Sequence, residues 1–278
     1  MVKPRPKKFL GQNFLTSKTT AVKIVDALDI QAGDIVLEIG PGHGVLTDII
    51  LERCADGEIN YIVIEKDRTL INALEGKNDA PWFNVICSDI MRFDFASLNV
   101  PEKKKIKVIG NIPYNITSDI LFLLVRERAL IDTAVLTVQR EVVDRIIAPP
   151  GSRTYGRLSV MMQFYAMTQP VLTIKPGAFY PRPKVNSKVV RLVFKDKICF
   201  TLENKERLFE AIVRHAFSSR RKKVINNLKE RFDYINVVNV IEDVLHKNGL
   251  SLSARAEELS VPVFVELTER CGEIGCTA

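Results

Sequence analysis

"VLEIGPGHGVLT", Val36 to Thr47, is the stretch on which the fold turns. Its first residues form a short apolar run of the kind that makes a buried strand, and the run stops at glycine. Its last residues read as the start of a helix. Between them Gly40, Gly42 and Gly44 stand in a G-x-G-x-G spacing. The dinucleotide fingerprint G-x-G-x-x-G needs glycine at position 45, and this chain has Val45 there. The spacing that admits a pyrophosphate against a helix N-terminus is therefore missing. A looser glycine loop still lets backbone approach a nucleoside. A glycine triplet alone is also compatible with an ordinary tight turn, so the surrounding sequence has to decide.

Outward from the loop the same pattern recurs. "INYIVIEKD" (Ile59 to Asp67), "WFNVICSD" (Trp82 to Asp89), "IKVIGN" (Ile106 to Asn111) and "TAVLTVQ" (Thr133 to Gln139) are short apolar runs with helix-like segments between them. Thr19 to Leu28 carries apolar residues at helical spacing. Strands alternating with helices predict βαβ units and a mostly parallel sheet, an α/β fold. "KVVRLVF" (Lys188 to Phe194) reads as a late antiparallel edge strand. After about Asp196 the pattern turns helical, in Lys205 to Phe232 and again in Val238 to Gly249. The expected division is a catalytic domain over 1–197 and a small all-helical domain over 198–278.

Ligands of open α/β sheets bind beyond the C-terminal strand ends. Glu65 ends the run after the glycine loop, where a carboxylate can accept both hydroxyls of a ribose. Asp89 ends the next, where it can accept from an exocyclic adenine amine, and Asn111 ends the one after. One polar residue at a strand end is common; the glycine loop and three such ends in succession form a constellation.

That constellation resembles the class I S-adenosylmethionine-dependent methyltransferases. The resemblance implies a Rossmann-like domain with a mostly parallel seven-stranded sheet and S-adenosyl-L-methionine as co-substrate. "GQNFL" (Gly11 to Leu15) resembles the N-terminal motif that folds over the methionine end of the donor in one branch of these enzymes. On that likeness Asn13, Leu15, Gly40, Gly42, Gly44, Glu65, Asp89, Ile90 and Asn111 line the donor site.

"NIPY", Asn111 to Tyr114, matches the [Asn/Asp]-Pro-Pro-[Tyr/Phe] type of motif in amino-methyltransferases acting on adenine or cytosine. The exocyclic N6 of adenine is a poor nucleophile because its lone pair is delocalised into the ring. Two acceptors aimed at its hydrogens, the Asn111 side-chain oxygen and the Ile112 carbonyl, favour a localised lone pair. Pro113 fixes φ and pushes Ile112 towards extended geometry. Tyr114 offers a stacking face. Catalysis then rests on positioning and electrostatics. Phe179, in "GAFYPRPKVNSKVV" (Gly177 to Val190), is either a core residue pinned by prolines or a second face opposite Tyr114 for a base drawn out of its stack.

"LEIGPGHG", "VIEKD", "GNIPYNI", "QREVVDRI", "YGRLSV", "FYPRPKVNS", "FSSRRKKVINNL" and "ARAEELS", in that order, resemble the bacterial small-subunit ribosomal RNA adenine N6,N6-dimethyltransferases, the kasugamycin-sensitivity family. The likeness covers nearly the whole chain. It implies dimethylation of two adjacent adenosines near the 3′ end of small-subunit rRNA, within an assembling 30S subunit. The erythromycin-resistance methyltransferases share "GQNF" and "NIPY", but "YGRLSV" and "FSSRRKKVINNL" are closer to the small-subunit branch. The chain departs from the family pattern at Arg182 and Ala256, where proline is frequent.

Charge fits a polyanionic partner. The 278 residues carry a net charge of +7 with a pI near 9.1. Arg220, Arg221, Lys222 and Lys223 are consecutive and are the candidate RNA contacts, set against the plainer reading of a solvated helix face. The five cysteines include no Cys-x-x-Cys pair, which argues against a zinc or other metal site and for a reduced, cytoplasmic protein. The basic N-terminus lacks a signal-peptide apolar stretch, and runs such as Ile120 to Val125 are too short to span a bilayer. A monomer is expected. The competing readings are a DNA adenine methyltransferase, which usually carries a separate target-recognition domain, and a non-catalytic RNA-binding assembly or transcription accessory factor, which would have no need of Gly42, Glu65, Asn111 and Tyr114 together.

Overall fold

A computed structural model describes residues 11–198, 200, 203–232 and 236–277. Its elements, in chain order, are β1 (Phe14–Leu15), α1 (Lys18–Leu28), β2 (Ile35–Ile39), α2 (Val45–Arg53), β3 (Asn60–Glu65), α3 (Arg68–Glu75), β4 (Phe83–Cys87), β5 (Ile106–Asn111), α4 (Thr117–Arg126), β6 (Ile131–Gln139), α5 (Arg140–Ile146), α6 (Arg157–Tyr165), β7 (Ala166–Ile174), β8 (Phe179–Tyr180), β9 (Ser187–Phe194), α7 (Glu203–Ala216), α8 (Val224–Lys229), α9 (Val237–Lys247) and α10 (Val261–Glu273). They form two compact units. One runs to Val143 and resumes over Thr168–Phe194; the other comprises Asp144–Met167 and the chain from Lys195 onward.

The first unit is built on a seven-stranded sheet in the order β4-β3-β2-β5-β6-β9-β7. The ladders joining β4, β3, β2, β5 and β6 are parallel, and β6 pairs β9 antiparallel. All five residues of β2 are buried, as are five of the six in β3. A parallel strand covered on both faces needs apolar residues on both, which is why these strands read as continuous runs rather than alternations. Ser17 caps α1 by accepting from the Thr20 amide, and α1 buries Ala21, Ile24, Val25 and Leu28. At Gly110 in β5, a Cβ would stand 2.7 Å from the Ile39 carbonyl oxygen, so only glycine fits beside β2 there.

β2 and β5 are neighbours, but the chain visits β3 and β4 on one side of β2 before crossing to β5 on the other. The helices on either side of that reversal diverge and leave a crevice beyond the strand ends.

The segment Lys188 to Phe194 is antiparallel, as its sequence suggests, but it is not the edge. β9 lies between β6 and β7. β7, "AMTQPVLTI", is mostly exposed and contains Pro170, so it lacks the apolar signature of a strand. Proline removes one ladder donor and is tolerated at a sheet edge, which is where β7 sits.

In the second unit α7 packs on α6, α8 and α10, and α9 on α8 and α10. Phe164 stacks on Phe209 with centroids 4.0 Å apart. The single division between 197 and 198 lies close to the third crossing between units, at Phe194–Lys195; the excursion of Asp144–Met167 into the second unit carries no composition signal. Its contacts account for it. The Gln163 amide donates to the Ile146 and Ala148 carbonyls at 2.8 Å each, and Lys195 Nζ donates to the carbonyls of Gln163 and Phe164. No helix among the described residues is long and apolar enough to cross a membrane.

Candidate active site

A cavity of about 390 Å³ opens beyond the C-terminal ends of β2, β3, β4 and β5. Of the residues singled out in the sequence, Asn13, Leu15, Gly40, Gly42, Glu65, Asp89, Ile90 and Asn111 to Tyr114 line it. Gly44 does not; it caps α2 instead, at φ 78°.

The glycine loop shapes the floor. Gly40 has φ +64°, and a Cβ built on it would meet no protein atom within 4 Å. The space that a side chain would enter is the cavity's. Gly42 has φ +61°, and a Cβ there would lie 2.6 Å from Phe14 Cδ1. The Phe14 ring also packs on His43 at 4.0 Å between centroids, so "GQNFL" closes over the loop. Its position is fixed from behind: β1 pairs with β8, and the Thr16 amide donates to the Ala178 carbonyl at 2.8 Å.

Glu65 is 7% exposed. One oxygen accepts from the Asp67 amide at 2.8 Å and the other from the Gly42 amide at 3.3 Å. Each keeps lone-pair capacity for a further donor such as a ribose hydroxyl. Burial holds this carboxyl above its ordinary pKa, against the lowering effect of the backbone amides. Asp89 is more fully engaged than its strand-end position suggests. Oδ2 accepts from Lys66 Nζ at 2.7 Å and Oδ1 from the Met91 amide at 3.1 Å. The Lys66 bond keeps its pKa below the ordinary value.

Asn111 ends β5, and its Nδ2 donates to the Asn13 carbonyl at 2.7 Å. That bond fixes which end of the amide is which, and Oδ1 is left as the acceptor. The Pro113 carbonyl is already used, by the Ile116 amide and the Thr117 hydroxyl. Tyr114 opens a single turn of 3-10 helix ahead of α4. Its hydroxyl shares a 2.7 Å hydrogen bond with Ser187 Oγ, and burial raises its pKa, so the ring is anchored and neutral.

Two expectations change. Phe179 is 3% exposed, belongs to the apolar core with Leu15, Ile24 and Val189, and does not line the cavity. β8 pairs it with Leu15, turning the ring inward, so the second stacking face opposite Tyr114 is not formed by Phe179 in this arrangement. The four-residue basic run lies in the turn between α7 and α8 rather than on a helix face. The Arg220 guanidinium donates to the Arg153 and Tyr155 carbonyls at 2.8 and 3.0 Å, and Lys222 pairs with Glu230 at 2.6 Å. Arg220 is thus committed within its own unit; Arg221 and Lys223 are exposed.

Glu38 was not among the sequence candidates, although an acid inside "VLEIG" was a visible anomaly. It is 1% exposed and lines the cavity. Oε2 accepts from Thr47 Oγ1 at 2.8 Å and from the Tyr61 hydroxyl, while Oε1 has no partner. Burial raises its pKa to about 7. Between the ordinary carboxyl value of 4.5 and 7 the folded protein holds a proton here that the unfolded chain has lost. Stability contributed by this group therefore falls as pH rises through that window, with a slope on the order of 1 kcal/mol per pH unit, and levels off above it. Glu38→Gln should flatten this part of the profile and raise the melting temperature at pH 8 relative to wild type, read by thermal denaturation from pH 5 to 8.

Among the described residues no group of three or more His, Cys, Asp or Glu side chains is arranged to hold a metal ion.

Residues 4–269 match the family described as ribosomal RNA adenine dimethylase. The chain is 40% identical over 264 residues to the ribosomal RNA small subunit methyltransferase A of Prosthecochloris aestuarii, covering 95% of this chain and 93% of that one. It is similar to the crystal structure of a dimethyladenosine transferase from Plasmodium falciparum, with a TM-score of 0.77, 26% identity and coverage of 95% and 99% of the two chains. The crystal structure of the 23S rRNA methyltransferase ErmE shares the fold, at a TM-score of 0.72 and 24% identity over 93% of this chain and 99% of that one.

Proposed function

Because the chain belongs to the ribosomal RNA adenine dimethylase family, we propose that it dimethylates N6 of two adjacent adenosines near the 3′ end of small-subunit (16S) rRNA in an assembling 30S subunit, with S-adenosyl-L-methionine as donor. The observation that carries the reading is the Asn111 amide, held by the Asn13 carbonyl at the lip of a cavity whose floor is bare glycine backbone.

The residues present fit the donor. The open space at Gly40 accepts a group close to the backbone, and Glu65 keeps acceptor capacity for ribose hydroxyls. Asp89 and Ile90, which line the same cavity, would border the adenine, and Asn13 and Leu15, which also line it, the methionine end. When bound, the sulfonium donor supplies an electrophilic methyl group.

This chain's own residues then work on the nucleophile. Asn111 Oδ1 and the Ile112 carbonyl accept from the N6 hydrogens and localise its lone pair. Tyr114, anchored through Ser187, holds the base plane. After transfer the nitrogen is acidic and releases its proton to water, so no tuned base is needed; positioning and fixed dipoles supply the rate. The protein is read as a monomer, acting where small subunits assemble, in the cytoplasm.

The test is transfer of label from S-adenosylmethionine to small subunits taken from cells lacking the modification, followed by mass spectrometry of the nucleosides. Label in N6,N6-dimethyladenosine is expected. Label absent from rRNA, or transferred equally well to duplex DNA, would sink the reading.

A further inference from the structure

The loop entering β9 has features that the donor site does not use. β8 turns Phe179 inward at 3% exposure and leaves Tyr180 63% exposed. Tyr180 pairs with Phe14 in the β1–β8 ladder, and Phe14 lines the cavity. Seven residues further on, Ser187 bonds the hydroxyl of Tyr114, which also lines the cavity. The segment 181–186 therefore leaves the cavity wall beside Phe14 and returns to it beside Tyr114. Between those ends Arg182 and Lys184 are exposed. Residues 168–194 hold five Lys or Arg and no Asp or Glu, so no acid of this stretch offsets the two cations.

An aromatic ring left in water costs free energy, and two exposed cations two and four positions along a segment that starts and ends at the cavity wall point to a ligand with both a flat face and a charge. When one base is drawn out of its stack, its neighbour loses a stacking partner on that side. We propose that Tyr180 stacks on the nucleotide next to the target adenosine, with Arg182 and Lys184 on its flanking phosphates. The occupant is single-stranded RNA, and the inference rests on the rRNA reading above. Aromatic stacking accepts any base, so this rim grips the strand without selecting its sequence. The methyl-donor cavity does the selecting for adenine.

The full-length variants Tyr180→Ala, Tyr180→Phe and Arg182→Ala/Lys184→Ala test it, with transfer to unmethylated small subunits and donor affinity by calorimetry as readouts. Tyr180→Ala should raise KM for the subunit about tenfold with kcat little changed, because the lost contact binds ground and transition states alike. Tyr180→Phe should stay within about twofold of wild type, since the ring and not the hydroxyl is used. The double variant should reduce the slope of log affinity against log salt by about 1.4, at roughly 0.7 per single-strand phosphate. Donor affinity should be unchanged in all three. An unchanged KM in Tyr180→Ala, a Phe variant as weak as the Ala variant, or an unaltered salt slope would overturn the rim while leaving the rRNA reading intact. Wild-type protein inactive on small subunits would overturn that reading, and the rim with it.

Discussion

Asn111→Ala is expected to lower methyl transfer by about a hundredfold to a thousandfold, the usual consequence of deleting one preorganised polar contact at a reacting centre. The side chain does two things. Its Nδ2 holds the Asn13 carbonyl at 2.7 Å, which ties "GQNFL" to the end of β5. On the proposed function, its Oδ1 is the acceptor offered to the adenine amine. Alanine removes both, so kcat should fall far more than donor affinity, which loses only the tether on the Asn13 side. Asn111→Asp separates the two roles. It keeps an acceptor but sets a carboxylate oxygen against the Asn13 carbonyl, and it should recover part of the rate while weakening donor binding. Single-turnover transfer with labelled donor, paired with calorimetry, distinguishes these outcomes. Near wild-type turnover in Asn111→Ala would show that the amine is gripped elsewhere.

Gly40→Ala should weaken donor binding by about tenfold to a hundredfold with the fold retained. The φ of +64° charges any L side chain with the left-handed penalty, about 1–2 kcal/mol, which a domain stable by about 5–15 kcal/mol survives. The added methyl meets no protein atom within 4 Å, so the strain is local and the volume is taken from the cavity. Overfilling a closely matched site by one methyl costs about 1–3 kcal/mol of binding. Titration calorimetry against S-adenosylmethionine, with a melting curve as control, checks it. Donor affinity equal to wild type would mean that the donor's nucleoside does not lie against Gly40.

The parallel strands were legible because burial on both faces forces unbroken apolar runs, and "VLEIG" and "IKVIGN" have no other use for theirs. β7 was not legible, because an exposed edge strand with Pro170 needs no apolar pattern. Asn111 to Tyr114 stood out by likeness to the [Asn/Asp]-Pro-Pro-[Tyr/Phe] motif, and the structure brings all four to one cavity with the glycine loop. Glu38 stood in plain view inside an apolar run, yet only its burial, against hydrogen bonds from Tyr61 and Thr47 that pull the other way, raises its carboxyl pKa to about 7.

The sequence by itself determined the strand–glycine–helix unit, the alternation that makes a parallel sheet, and the polar residues at strand ends. Those depend on local conformation and on the period of burial, both written along the chain. The tertiary structure alone decided that Phe179 faces the core while Tyr180 faces water, and that Arg220 spends its charge on the carbonyls of Arg153 and Tyr155. Each of those outcomes is set by residues distant in sequence: Leu15 across a two-strand ladder, and a loop 65 and 67 positions away. A side chain's type says what it can do, and its neighbours in space settle which of those things it does.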